Sequence, residues 1–265
     1  MSNVSCIIVN YNNEKFIKQC IDSILQQSRR VDEIIISDDC SNDNSLEIIY
    51  EYAKKHDNIR VLKNEVNIGV SKNRDNAIRL AKSEFITTLD SDDYYYPEKI
   101  ENEIRILEQC PDAIACSDVI DVDIYGRILM HRSTIEMCSR NLNKRIEKLI
   151  CGNKKHHPKD LMYSKNTYIT VGGINTNLHL NEDWDFKLKL AGRPVKWIHS
   201  GVVGTAYRHT GTGLSSTAKM YEAAIVKFSI LINYYKKSTN KLRYSITLLK
   251  YCFIFGIIKL IRNRR

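Results

Sequence analysis

The sequence has little glycine (11 residues) and little proline (4) in 265 residues, which excludes a fibrous or linker-rich chain. No glycine occurs before Gly69, so a glycine-rich turn cannot follow the first strand and a dinucleotide fingerprint is excluded. None of the 8 cysteines (Cys6, Cys20, Cys40, Cys110, Cys116, Cys138, Cys151, Cys252) forms a Cys-x-x-Cys pair, which removes the usual zinc sites. Several sit in apolar runs, where a free thiol acts as a small hydrophobe. Residues 1–6 show no charged segment leading into an apolar stretch. No signal peptide is therefore expected, and a reducing, cytoplasmic setting fits. Acidic residues are missing after Glu222, while ten basic residues follow it. Residues 1–222 hold 30 basic and 31 acidic side chains, so the net charge of +9 belongs to the tail. No recognition motif accompanies that charge, and a nucleic-acid partner is not expected.

A 43% hydrophobic content still supports a sizeable core, and the length suits one large domain or one with an appendage. Residues 4–9, 33–37, 59–62, 85–89 and 113–116 are short apolar runs that read as buried strands. Between the first two, residues 15–27 place Phe16, Cys20, Ile21, Ile24 and Leu25 on one helical face. Helices are also expected over 46–55, with Ser41 or Asn44 as cap, over 71–81, and from Pro97 to about 110. This alternation predicts an α/β fold whose mainly parallel sheet is covered by flanking helices. Residues 118–129 read as a hairpin turning at Tyr125-Gly126, whereas 131–160 are polar and show no assignable period. Apolar runs at 161–163 and 168–171 precede Gly172-Gly173. A helix is expected over 183–190, strands over 195–199 and 202–207, and two C-terminal helices over 218–235 and 241–262.

Open sheets of this kind bind ligands beyond the carboxyl ends of their strands. Asp38 and Asp39 follow the second strand; Asp90, Asp92 and Asp93 follow the fourth. Carboxylates two apart can turn toward one hard cation that bridges phosphates. The competing reading is a solvated acidic turn before the Pro97 helix. Asp39 can cap the next helix or accept an N–H from a nucleobase. Arg74 can neutralise phosphate, or pair at the surface with Asp75 or Glu65. Asp183 opens a helix, so it is either an N-terminal dipole partner or a base for an acceptor hydroxyl. Asp185 is expected to face solvent. Tyr207-Arg208-His209 can add a phosphate or metal contact, with a structural histidine as the alternative. His156-His157 has no partner at metal-ligand spacing.

In order along residues 4–216 run IIVNYNN, ISDDCSND, NIGVSKNRDNAI, LDSDD, a Gly-Gly pair, EDWDFKLKL and YRHTGTGLS. This ordered set resembles the family 2 glycosyltransferases of the GT-A fold. The resemblance implies an inverting, single-displacement transfer from a nucleotide-sugar. It assigns Asn10, Tyr11 and Asp39 to the nucleobase side, Arg74 to the nucleotide, and Asp90, Ser91 and Asp92 to the Asp-x-Asp motif. Asp92 or Asp93, with His209, would hold Mn²⁺ or Mg²⁺. Asp183 is the implied catalytic base, flanked by Glu182 and Trp184 on the acceptor side. Two positions depart from the family: Cys40 stands where glycine is common, and His209 falls one place early. The Gln-x-x-Arg-Trp motif and membrane spans of the processive synthases are not found, which points to single addition.

The expected organisation is a catalytic domain over 1–217, divided at about 120 into nucleotide-sugar and acceptor halves, and a basic amphipathic tail over 218–265. Within the tail, Leu242, Ile246, Leu249, Phe253, Ile257 and Leu260 recur at helical spacing beside Arg243, Lys250, Lys259 and Arg262. The apolar run 251–258 is too short to span a bilayer. An anionic membrane surface meeting 241–265 is one reading. Packing on the catalytic domain, or on a second copy in a homodimer, is the other. The expected partners are a nucleotide-sugar, with UDP ahead of dTDP, and a glycan or lipid-linked acceptor of cell-surface polysaccharide type. Two alternatives remain at this point. A nucleotidyltransferase needs a glycine-rich basic loop that residues 10–13 do not supply. A non-catalytic sugar-nucleotide-binding subunit would not require Asp183.

Overall fold

The structure, a computed structural model, describes residues 2–139, 141–151, 156–211, 220–235 and 245. β1 (Val4–Asn10) is buried along its whole length. Its apolar run is what a strand covered on both faces must carry. β1 pairs in parallel with β2 (Glu33–Asp38) and with β4 (Phe85–Asp90), and β2 with β3 (Ile59–Lys63). α1 (Ile17–Leu25), α2 (Ser45–Lys55) and α3 (Val70–Leu80) make the crossovers. Alternate residues of each strand serve opposite cores. Ile7, Ile35 and Ile86 pack with Ala77 and Ile78 of α3. Cys6, Ile8, Ile34 and Ile36 pack with Ile17, Ile21 and Ile24 of α1. Each such isoleucine contributes about 1.5–3 kcal/mol by leaving water, which fixes the register of both faces.

The second half adds β5 (Tyr94–Tyr95), α4 (Lys99–Gln109), β6 (Ile114–Val122) and β7 (Ile128–Arg132), then a 3₁₀ turn (Ile135–Cys138) and α5 (Leu142–Cys151). β8 (Met162–Ser164), α6 (Lys165–Thr170), α7 (Glu182–Ala191), β9 (Trp197–Arg208) and α8 (Met220–Tyr235) follow. The strand order is β3-β2-β1-β4-β8-β6-β9-β5, with β7 beside β6. β8 enters antiparallel between β4 and β6, and β9 runs parallel to β6. This insertion carries the chain from 156 to 161 past the end of β4.

Several local expectations change. Neither Ser41 nor Asn44 caps α2 with its side chain. The Ser41 hydroxyl donates to Asp38 Oδ2 (2.6 Å), and the Asn44 amide donates to Glu14 (3.0 Å), so both are spent on neighbouring loops. Residues 168–171 belong largely to α6, whose start is capped by Ser164 Oγ accepting from Thr167 N at 3.1 Å. The two strands expected over 195–199 and 202–207 are one strand, β9, which passes through Gly201 at φ +84°. Its pairing with β6 shifts register around Asp118. The six cysteines described as free include Cys116 and Cys138. Among the described residues, no helix is long and apolar enough to cross a membrane. The predicted helix over 241–262 lies outside the described residues apart from Ser245.

Gly204 lets β9 approach β6. A Cβ there would sit 2.5 Å from Ser117 Cβ and 2.8 Å from its Oγ. Gly204→Ala is therefore expected to cost about 1–3 kcal/mol, read as a lower midpoint in denaturant. An unchanged midpoint would refute the close packing.

Candidate active site

Strand pairing sets Asn10 beside Asp38 and Val9 beside Asp90, so the carboxyl ends of β1, β2 and β4 lie together. Side-chain amides build the turn after β1. Asn10 Nδ2 donates to Asp38 Oδ2 (2.7 Å), the Asn12 backbone donates to Ser41 Oγ (2.9 Å), and Asn13 Nδ2 donates to Ser91 Oγ (2.7 Å). The last bond ties this turn to the acidic loop after β4. Asn10 Oδ1 is buried with no partner among the described residues, and Tyr11 stands about half exposed at the same edge. Asp39 is buried and accepts at 2.9 Å from Ile68 N, Gly69 N and Asn64 Nδ2, which folds the 64–69 loop over the edge. Cys40 has φ +63°, the backbone region in which glycine is unstrained.

The carboxylate oxygens of Asp90, Asp92 and Asp93 lie within 4.8 Å of one another. Asp93 Oδ1 accepts from Arg208 N at 2.7 Å. The Arg208 guanidinium donates to Asp92 O (2.9 Å), Ile124 O (3.2 Å) and Gln19 Oε1 (2.6 Å) and lies over the Phe16 ring. Arg208 thus holds the acidic turn from behind. Burial would raise the Asp90 carboxyl, but Lys159 and Arg74 outweigh it and hold it at about 2. Burial, reinforced by the neighbouring carboxylates, pushes Asp93 well above the ordinary range and raises Asp92 as well. Among the described residues no side chain forms a hydrogen bond or ion pair with the Asp92 carboxylate, although Arg208 reaches its backbone oxygen. Clustered oxygen donors whose mutual repulsion a cation would relieve fit a hard divalent ion such as Mn²⁺ or Mg²⁺.

Arg74 joins this cluster to the opposite wall. It is buried, contacts Asp90 Oδ1, and donates to Glu182 Oε1 at 2.8 Å. That clamp sets the first turn of α7 against the end of β4. Asp183, next along α7, keeps half of its side chain exposed and accepts from Lys187 Nζ at 2.8 Å. Asp90, Lys159, Asp160, Asp183, Phe186 and Lys187 line one cleft open to solvent. Gly173 lets the chain after α6 pass close to Tyr168 and Asp75: at φ +61°, a Cβ would meet the Tyr168 ring at 3.0 Å and Asp75 Oδ1 at 3.2 Å.

Residues 5–164, more than half of the chain, match the profile of Glycosyl transferase family 2. The chain belongs to that family. A family relative, an uncharacterized glycosyltransferase of Methanocaldococcus jannaschii, is 35% identical over 200 residues, 73% of this chain and 66% of that protein. The poly(ribitol-phosphate) beta-glucosyltransferase of Bacillus spizizenii is 41% identical over 100 residues, 37% of this chain and 16% of that protein. In structure, this family 2 member resembles S. aureus TarS 1-349 in complex with UDP-GlcNAc, with a TM-score of 0.69 and 20% identity. The match covers 94% of this chain and 71% of that one, and supports a GT-A fold. The chain spans less than two thirds of the length of the first curated relatives it matches.

Of the residues expected at the family 2 site, Arg74, Asp90 and Asp183 line the cleft, Asp92 and Asp93 cluster with Asp90, Glu182 pairs with Arg74, and Asn10, Tyr11, Asp39 and Ser91 lie at the adjoining strand ends. Three depart from expectation. His209 does not join the carboxylate group; its Nε2 lies 3.3 Å from Asp121 Oδ2. Trp184 packs inward, its indole N–H donating to Leu149 O at 2.9 Å, so it is a partly buried residue packed against the core. Asp185 is buried and paired with Lys189 at 3.2 Å, where solvent exposure was expected. Arg74 is also no surface residue, because Glu182 and Asp90 enclose it. Lys159 and Asp160 were missed. The signal available was their position directly before the apolar run at 161–163, which a sheet strand would carry to the end of β4.

Proposed function

We propose that this glycosyltransferase moves a sugar from a nucleotide-sugar, foremost a UDP-sugar, to a hydroxyl of a glycan or lipid-linked glycan precursor, with inversion. One observation carries the reading: Asp90, which clusters with Asp92 and Asp93, lines one cleft together with Asp183, and Arg74 bridges Asp90 to Glu182 beside it. The acceptor oxygen attacks the anomeric carbon and the bond to the diphosphate breaks. The hydroxyl proton passes to Asp183, and the nucleoside diphosphate leaves on the side of the acidic cluster. Asp92 and Asp93, with Asp90 beside them, would hold Mn²⁺ or Mg²⁺, which when bound offsets charge on the leaving diphosphate. Asn10, Tyr11 and Asp39 lie at the edge proposed for the base. The UDP and UDP-GlcNAc complexes of the structural neighbour support a uridine donor. The retained base favours an enzyme over a binding subunit, and the amide-held turn after β1 disfavours a nucleotidyltransferase. The basic tail 241–265 is proposed to hold the enzyme on the cytoplasmic face of an anionic membrane.

The test is a panel of nucleotide-sugars with and without Mn²⁺, scored by thermal shift and slow donor hydrolysis. A UDP-sugar is expected to stabilise wild type only with the metal, and Asp92→Ala to abolish that shift. Stabilisation by RT ln(1 + [L]/Kd) makes ligand at one hundred times Kd worth about 2.7 kcal/mol. Equal shifts in wild type with EDTA would remove the metal from the proposal.

A further inference from the structure

Lys159 extends into the acidic cluster from the segment before β8. Its Nζ lies 3.1 Å from Asp90 Oδ2, contacts Asp93 Oδ2, and stands 4.0 Å from the Tyr207 ring centroid. The side chain is 14% exposed, so its charge is balanced by carboxylates more than by water. The oxygen donors that suit a divalent ion therefore already carry a cation of their own chain. An ammonium and a divalent ion repel each other on shared carboxylates, so one must leave for the other to bind well. Lysine is suited to leaving, with a flexible four-carbon stem and three freely rotating donors. A nucleoside diphosphate in this cleft brings the negative charge that would receive it.

We propose that Lys159 is a displaceable occupant of the cation site, which leaves Asp90 and Asp93 to pair with the phosphates of an arriving nucleotide. Metal binding is then coupled to nucleotide binding: without nucleotide, Lys159 competes with the ion, and with nucleotide it assists. Linkage makes the effect reciprocal, since nucleotide tightens the metal by the same factor as metal tightens nucleotide. This inference rests on the nucleotide-sugar and metal reading above.

The experiment measures Mn²⁺ affinity by electron paramagnetic resonance, with and without UDP, for wild type, Lys159→Ala, Lys159→Gln and Lys159→Arg. Circular dichroism and melting temperature verify folding. UDP is expected to tighten Mn²⁺ in wild type by about tenfold or more. In Lys159→Ala and Lys159→Gln, Mn²⁺ alone should bind about tenfold tighter than to wild type, and the effect of UDP should shrink correspondingly. Lys159→Arg, which keeps the charge, should keep weak binding of Mn²⁺ alone. Folded neutral variants with wild-type Mn²⁺ affinity and wild-type coupling would overturn the inference. Wild type that binds UDP but no Mn²⁺ would overturn the metal reading itself, and this inference with it, while leaving the nucleotide reading standing.

Discussion

Asp183→Asn is expected to lower kcat for transfer by about 10²–10⁴-fold, the usual worth of a positioned general base. Donor affinity should stay near the wild-type value. The amide keeps the size of the side chain but cannot take up a proton at neutral pH. Asp183 meets the positional requirement: half exposed, it faces the cleft it shares with Asp90, while Arg74 anchors Glu182 next to it. Its ionisation is also secured. Partial desolvation in the cleft would raise the carboxyl, but Lys187, aided by Arg74 and Lys159, holds it below the usual carboxylate range. A depressed folded pKa has a defined sign: the ion pair with Lys187 is intact at neutral pH and is lost only as pH falls below the ordinary aspartate range. No activity limb from Asp183 should therefore appear between pH 6 and 8. Transfer by the variant at the wild-type rate would sink the base assignment. A collapse in donor binding equal to the loss of kcat would show instead that Asp183 binds the sugar.

Local pattern carried the first 120 residues well because strands end in acids there. Each of β2 and β4 is an apolar run that ends in acids, and parallel pairing then brings those acids to one edge. What lay beyond reach depended on contacts distant in sequence. The partner of Arg74 is Glu182, 108 residues away, so the burial of Arg74 could not be read from its neighbours. Arg208 reads in sequence as part of a Tyr207-Arg208-His209 phosphate or metal contact. It is instead consumed by Asp93, Asp92 O and Gln19, groups that only the folded sheet assembles. Lys159 was hidden in a polar stretch without period, and its importance arises from β8 entering antiparallel beside β4. Ser200-Gly201 looked like a break between strands, whereas β9 tolerates it because β6 shifts register alongside. Trp184 and Asp185 failed for a related reason. α7 exposes Asp183 while burying Glu182 and Asp185 on either side of it, and a short acidic motif does not reveal which acid faces out.

Lys99→Met is expected to be the most damaging change away from the cleft. Lys99 and Glu103 are both fully buried and form an ion pair one turn apart on α4. The Lys99 ammonium also donates to Asp160 O at 3.0 Å and lies 4.7 Å from the Tyr95 ring centroid, while Ser117 Oγ donates to Glu103 at 2.6 Å. Removing the lysine alone strands a carboxylate in the interior, at a cost of about 3–5 kcal/mol. For a chain of this size that corresponds to a melting temperature lower by roughly 6–20 °C. The paired change Lys99→Met with Glu103→Leu should regain most of the loss, because an apolar pair of similar volume needs no desolvated charge. A single variant within about 0.5 kcal/mol of wild type would contradict the buried pair. The two variants also separate stability from function. Both lack the donor that holds Asp160 O, which is the anchor of the segment carrying Lys159. The double variant should therefore melt near wild type yet bind nucleotide more weakly. If it matched wild type in both, Lys99 would serve the fold alone, and the positioning of Lys159 would have to come from β8.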